Sequence, residues 1–262
     1  ADSLKEQIRQ AGNAAGRMEL RRMEDTMLWT AQNLMGTYHS LEAEQAAASA
    51  RAEAQKHLSE KVKDQEMLGS STSYHSQEAY QKWQSALNEY ERLKKEQERV
   101  RQELLLLTGF SPDSPVVLEK MPLPDVSRAA LVNPQEDRQQ ALGNNYELRS
   151  GRMGNAGSNQ ELHKKQRQTE LDENQMFDSL ETLGDQIRSC QAEWEAACAK
   201  EQAQRAVWQS AVRKRELGTM AEGEYLEIYS QYMEEKGNQA QASIRFLLAM
   251  EEYDWAKKGL MD

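Results

Sequence analysis

Four histidines, two cysteines and a few glycine- and serine-rich turns are the residues from which any site chemistry in this sequence would have to be built. A helical zinc site needs two histidines one turn apart on one face with a carboxylate or further histidine beside them, because a tetrahedral ion takes converging lone pairs. His39, His57, His75 and His163 are never so spaced, so they read as ordinary surface or interface histidines and no metal is expected. Gly151, Gly154 and Gly157 have the spacing of a phosphate loop, but such a loop needs a strand before it to aim its amides. No strand precedes them, and they read as a flexible joint. Gly69, Ser70, Ser71, Thr72 and Ser73 gather hydroxyls without the spacing of a nucleophile elbow and read as turn formers. Cys190 and Cys198 lie eight positions apart on one predicted helix. That is about 12 Å along its axis, too far to bridge. Neither a catalytic residue nor a cofactor is expected, and the chain is not read as an enzyme.

The remaining candidates bind rather than react. Arg213, Lys214 and Arg215 end a predicted helix, where three cations either form a docking patch or complement the helix dipole. Gly218, Thr219 and Met220 follow as a turn whose apolar groups and backbone would need a partner to cap them. Leu68, Gly69 and Ser70 form the matching turn in the first half, and with Arg213, Arg215, Leu217, Gly218, Thr219 and Met220 they are the candidate partner-binding residues. Trp83, Trp194, Trp208, Tyr229 and Tyr232 read as packing between helices. Nucleic acid is not an expected partner: 33 Lys and Arg stand against 43 Asp and Glu, the net charge is −10, and the basic residues are interleaved with Glu and Gln.

The elements that carry these turns are long helices. All five prolines fall between residues 112 and 134, so both flanks lack the strongest helix breaker. Ala, Glu, Gln, Leu, Lys, Arg and Met dominate those flanks, and β-branched runs are nearly absent. No aliphatic run exceeds Leu104 to Leu107, far short of a membrane-spanning helix. No charged and then apolar leader opens the sequence, so either the protein is cytoplasmic or a signal segment has been removed before Ala1. Apolar residues recur in heptads. Met27, Leu34, Leu41, Ala48 and Val62 make one set, interrupted by Gln55; Ala31, Tyr38 and Ala52 make the second, interrupted by Gln45 and Ser59. In the second half Met176, Leu183, Cys190, Ala197 and Ala211 make the first set, and Leu180, Ile187, Trp194 and Trp208 the second.

The halves are copies. An offset of 149 residues superposes Leu34 on Leu183, Glu44 on Glu193, Gln55 on Gln204, Leu68 on Leu217, Gly69 on Gly218, Glu78 on Glu227 and Tyr80 on Tyr229, besides five alanine pairs. The Leu-Gly pair closes one heptad run in each half, which is an internal duplication. The fold expected is all-α, with two long antiparallel coiled-coil hairpins. Residues 1–110 form the first hairpin repeat, residues 111–133 a Pro-rich extended connector, and residues 134–262 the second repeat. In the first repeat a helix of about 45 residues runs to Leu68, turns through Gly69 to Ser73 and returns from Tyr74 to Thr108, with Gly109 as its C-cap. In the second, a helix from Gln160 reaches Leu217, turns through Gly218 to Gly223 and returns to Lys258 before Gly259. A short helix is expected over residues 134–149, with Asn133 as N-cap and Pro134 in its first turn, and residues 150–159 break it. Hairpin arms of about 50 to 85 Å cannot bury both faces alone, so oligomerisation is expected.

Three segments resemble a known family. LEKMPLPD (residues 118–125), NPQED (133–137) and QALGNNYELR (140–149) are similar to the inter-repeat connector and following helix start of the outer-membrane efflux proteins, the TolC-like channels. RKRELG (213–218) followed by EYLEI (224–228) resembles the hairpin tip of that family, MLGS (67–70) is a weaker copy, and LLAMEEYDWAKKG (247–259) resembles its final helix. The resemblance covers roughly residues 20–262. It implies a homotrimer whose hairpins close into a helical tunnel, with tips docked on a membrane-fusion adaptor of an export pump. It also implies an extracytoplasmic place in the cell envelope with a leader removed. Family members that cross an outer membrane carry a β-hairpin in each repeat, built from strands of about 9 to 11 residues. The corresponding residues 10–18 and 150–159 are short and lack alternation, so the chain resembles a relative without barrel strands, and insertion into an outer membrane is not expected. A structural coiled-coil protein of the envelope without transport is the second reading, and an enzyme a distant third.

Overall fold

The structure, a computed structural model of the 262-residue chain, describes residues 14–152 and 157–261. Every regular element among these residues is a helix. In chain order they are α1 (Ala14–Met67), α2 (Ser73–Leu107), α3 (Val126–Ala130), α4 (Pro134–Asn144), α5 (Tyr146–Arg152), α6 (Asn159–Glu216) and α7 (Glu222–Lys258). Among the described residues no helix is long and apolar enough to cross a membrane.

The four long helices end alike. Gly69, Gly109, Gly218 and Gly259 have positive φ, and each N–H bonds the carbonyl three residues back while the next residue bonds the one five back. These are Schellman closures, in which the left-handed turn answers carbonyls that the helix leaves unpaired. Glycine takes that backbone without a Cβ penalty.

The chain divides into two compact units, and α1, α6 and α7 each contribute residues to both. The first unit holds residues 1–33, 124–191 and 246–262. Its core is built of large side chains: Leu180, Ile187, Phe246, Met250 and Tyr253 are almost wholly buried, with Tyr146, Leu148 and Met176 beside them. The end of α7 is held by polar bonds. Arg128 reaches Glu251 (2.7 Å) and Asp254 (2.6 Å), and Asp137 accepts from Tyr253 Oη (2.8 Å) and pairs with Lys257 (2.8 Å); a further bond joins α5 to α1, where Tyr146 Oη donates to Asp25 (2.7 Å).

The second unit holds residues 34–123 and 192–245. Alanines supply much of its core: Ala50, Ala52, Ala54, Ala79, Ala211 and Ala242 are buried, beside Leu93, Val100, Leu104, Leu105, Leu226, Tyr232 and Ile244. In the second hairpin Gln204 bonds Gln231, Trp208 stacks on Tyr232, and Gln239 reaches Cys198. These pairs lie about equally far on either side of Gly218, as an antiparallel hairpin turning there requires. Arg51 pairs with Glu234 and Gln241 with Glu44, so α1 runs antiparallel to α7. Gly237 lets that pair approach closely, because a Cβ there would meet the Ala43 carbonyl at 3.3 Å.

Several boundaries differ from the sequence expectation. α1 has 54 residues and begins at Ala14. The connector is not wholly extended: Asp125 caps the short helix α3, accepting from Ser127 N (2.9 Å). The helix expected over 134–149 is two helices broken at Asn145, a residue 1% exposed whose Oδ1 accepts from the amides of Glu147 and Leu148 at 2.9 Å. Asn133 does occupy the N-cap position of α4, but its side chain makes no cap bond. α5 continues to Arg152, so the break begins later than residue 150. Gly154, residues 10–13 and residues 153–156 lie outside the described residues, and with them part of the glycine triplet and of both segments compared with barrel strands.

Candidate functional site

The candidate partner-binding residues occupy the two hairpin turns, both within the second unit. At the first turn Gly69 N–H donates to Glu66 O (2.9 Å) and Ser70 N–H to Gln65 O (2.8 Å); at the second, Gly218 N–H donates to Arg215 O and Thr219 N–H to Lys214 O, both at 2.9 Å. The hydroxyls copy the pattern. Ser70 Oγ bonds Gln65 O and Thr219 Oγ1 bonds Lys214 O, each at 3.0 Å. The duplication seen in sequence is therefore a duplication of bonding, with Ser70 and Thr219 in equivalent places. It also corrects an expectation, since the turn backbone is closed by its own chain and does not wait for a partner.

What the turns leave open is apolar side chain. Leu68 is 82% exposed, Leu217 78% and Met67 72%, while Met220 is half-buried. The two turns differ in charge: α1 has no basic residue in its last turn, and α6 has Arg213, Lys214 and Arg215. Of these, Arg215 is engaged. Its Nη2 pairs with Glu222 (2.8 Å) and its guanidinium lies 4.2 Å above the Tyr225 ring. Tyr225 stacks on Tyr229 (centroids 6.2 Å apart), Tyr229 meets Trp208 (6.2 Å), and Trp208 stacks on Tyr232 (4.7 Å, interplanar angle 2°). An aromatic ladder thus braces the second turn, and such stacked pairs add about 0.5–1.5 kcal/mol each beyond their burial. Burial pushes the Tyr229 hydroxyl pKa up, with Tyr225 and Glu53 adding to it.

Sequence reasoning placed Trp208, Tyr229 and Tyr232 in helix packing, where they are, and set Met67 and Tyr225 within tip-like segments without giving either a role; Glu222 it missed. The available signal was an acid seven residues beyond Arg215, across the turn, with an aromatic three further on. Another correction concerns His39, read as an ordinary surface or interface residue: it is buried, with Nε2 2.8 Å from Glu119 O and Nδ1 2.9 Å from Glu42 Oε2. With Arg101, which donates to Ser114 O (2.7 Å) and Val116 O (3.2 Å), it pins the extended connector inside the second unit. Among the described residues no group of three His, Cys, Asp or Glu side chains is placed to hold a metal.

No family model matches the sequence, and no curated protein matches it. Solved structures do. The outer-membrane channel OprN aligns with 94% of this chain and 68% of its own at a TM-score of 0.56 and 14% identity. The outer membrane protein VceC of Vibrio cholerae aligns over 94% and 72% at 0.58 and 13%. CusC, described by its transmembrane channel formation, aligns over 97% and 84% at 0.64 and 12%. The fold is that of the TolC-like outer-membrane channels. No strand occurs among the described residues; α1 already begins within residues 10–18, and α5 and α6 reach into residues 150–159 from either side. The neighbours are channels rather than enzymes, and at such low identity the likeness concerns the fold.

Proposed function

We propose that the chain is the helical conduit component of an efflux or export system, placed in the extracytoplasmic cell envelope and docked through its hairpin tips to a membrane-fusion adaptor. The observation that carries this reading is the pair of repeat-equivalent turns with closed backbones and open leucines, on a fold shared with outer-membrane channels over nearly its whole length. A self-sufficient turn that still presents Met67, Leu68 and Leu217 to water is a surface for another apolar group. The unequal charge of the two tips would give the adaptor a register.

Assembly into a homotrimer is part of the same reading. Leu58 and Val207 are 43% and 48% exposed, and they stand 149 residues apart at equivalent places in the two repeats. Exposed apolar residues repeated in this way fit neighbours packed around a closed ring.

Burying one leucine contributes about 1.5–3 kcal/mol. Leu68→Glu with Leu217→Glu should therefore weaken adaptor binding at least a hundredfold, measured by titrating the purified chain with the adaptor of its pump. Because both side chains are already in water, the melting temperature should stay within a degree or two. Unchanged binding would remove the tips from the docking site. A stable monomer folded as a helical bundle would favour the alternative, an envelope scaffold without transport.

A further inference from the structure

Within the first unit, α1, α6 and the end of α7 line a half-open pocket of about 390 Å³ that the conduit reading does not use. Its walls include Trp29 from α1, Asp178 and Leu183 from α6, and Glu252, Trp255 and Met261 from α7 and the residues after it. The volume falls within the range of about 300–1,000 Å³ usual for small-molecule sites, and the mix of aromatic, aliphatic and a few polar groups is usual too.

The carboxylates are the unusual part. Three acids stand close together on α7, and Arg128 neutralises two of them, Glu251 and Asp254. Glu252, the third, lines the cavity and is only half-exposed. Among the described residues no ion pair or hydrogen bond reaches its side chain or that of Asp178. Burial pushes the Glu252 carboxyl up from its ordinary range, and no opposite charge offsets the shift. A carboxylate drawn from water without a counter-charge, beside two indoles, is an arrangement that a cation completes. The Trp255 ring already carries one ammonium, that of Lys258, at 4.2 Å.

We propose that this cavity binds a small organic cation with an apolar body, such as a substituted ammonium. The indoles and Leu183 cover the apolar part and face the positive centre with π density, while Glu252 and Asp178 supply the charge. A compact inorganic ion would gain little from such walls, and an anion would meet the half-buried Glu252 carboxylate and the exposed one of Asp178. The inference does not rest on the conduit reading, and either can fail without the other.

The test is calorimetric titration of the full chain in its native oligomeric state with benzyltriethylammonium, followed in parallel by tryptophan fluorescence. Saturable binding is expected, at least tenfold tighter than for uncharged tert-butylbenzene or for benzoate. Glu252→Gln should weaken it about tenfold or more and Asp178→Asn by a smaller factor, each with unchanged helicity. Glu91→Gln, on the exposed face of α2, should leave it alone. The proposal is overturned if Glu252→Gln and Asp178→Asn both bind as the parent does, or if Glu91→Gln costs as much as they do. It is equally overturned if the uncharged probe binds as tightly, or if the native assembly does not bind the cation because a second copy fills the cavity.

Discussion

Gly259 carries the tightest backbone constraint in the chain. Its φ is +107°, its N–H closes α7, its carbonyl accepts from Tyr146 N (3.2 Å), and a Cβ would stand 2.2 Å from the Asn144 carbonyl oxygen. Strained backbone costs about 1–3 kcal/mol, and here the clash adds to it. Gly259→Ala is expected to lower stability by more than about 2 kcal/mol in urea unfolding, whereas Gly69→Ala and Gly218→Ala, which meet open space, should cost about 1 kcal/mol each. Tyr146 sets a second expectation. Burial, with the bond to Asp25, pushes its pKa up to about 12. A pKa raised in the folded state means that its contribution is complete below pH 10, the unfolded value, and is lost as pH rises from 10 through 12. Absorbance titration should show Tyr146 ionising late, and Tyr146→Phe should flatten the fall in stability over that window.

At the scale of elements, caps separate position from bonding. Asn145 accepts two amide donors and Asn133 none, so Asn145→Ala should cost about 1–2 kcal/mol and Asn133→Ala a few tenths, read from thermal melts of the two variants. The same contrast explains what could be read ahead. Helix formers, heptads and the glycines at 69, 109, 218 and 259 are local signals, and they located all four long helices and both turns within a few residues, except for the start of α1, which lies about ten residues earlier than expected. The break at Asn145 carried a local signal that was passed over, the three poor helix formers Gly143, Asn144 and Asn145; what fixes it is not local, since Tyr146 N–H leaves the helix pattern for Gly259 O, a partner far along the chain. The tip leucines were legible through the duplication. The Arg215–Tyr225 brace was not, since heptads say which face is apolar but not which rings stack.

For the molecule as a whole, alanine takes a larger share of the second unit's core than of the first's: Ala50, Ala52, Ala54, Ala79, Ala211 and Ala242 are buried there beside Leu93, Val100, Leu104, Leu105, Leu226, Tyr232 and Ile244. Alanine buries little apolar area per residue, and in the assembly proposed above neighbouring copies cover Leu58 and Val207, which this alanine-rich unit leaves open. Leu58→Glu with Val207→Glu should lower the solution mass to that of one chain while circular dichroism stays helical. The parent melting temperature should rise with protein concentration, and the double variant's should not.

The connector has a different lesson. Arg101 and His39 grip it by the carbonyl oxygens of Ser114, Val116 and Glu119, atoms that every amino acid supplies. A strap buckled through its backbone can have its side chains rewritten by evolution without slackening. Among distant cousins the buckles, more than the strap, are where kinship should still be readable.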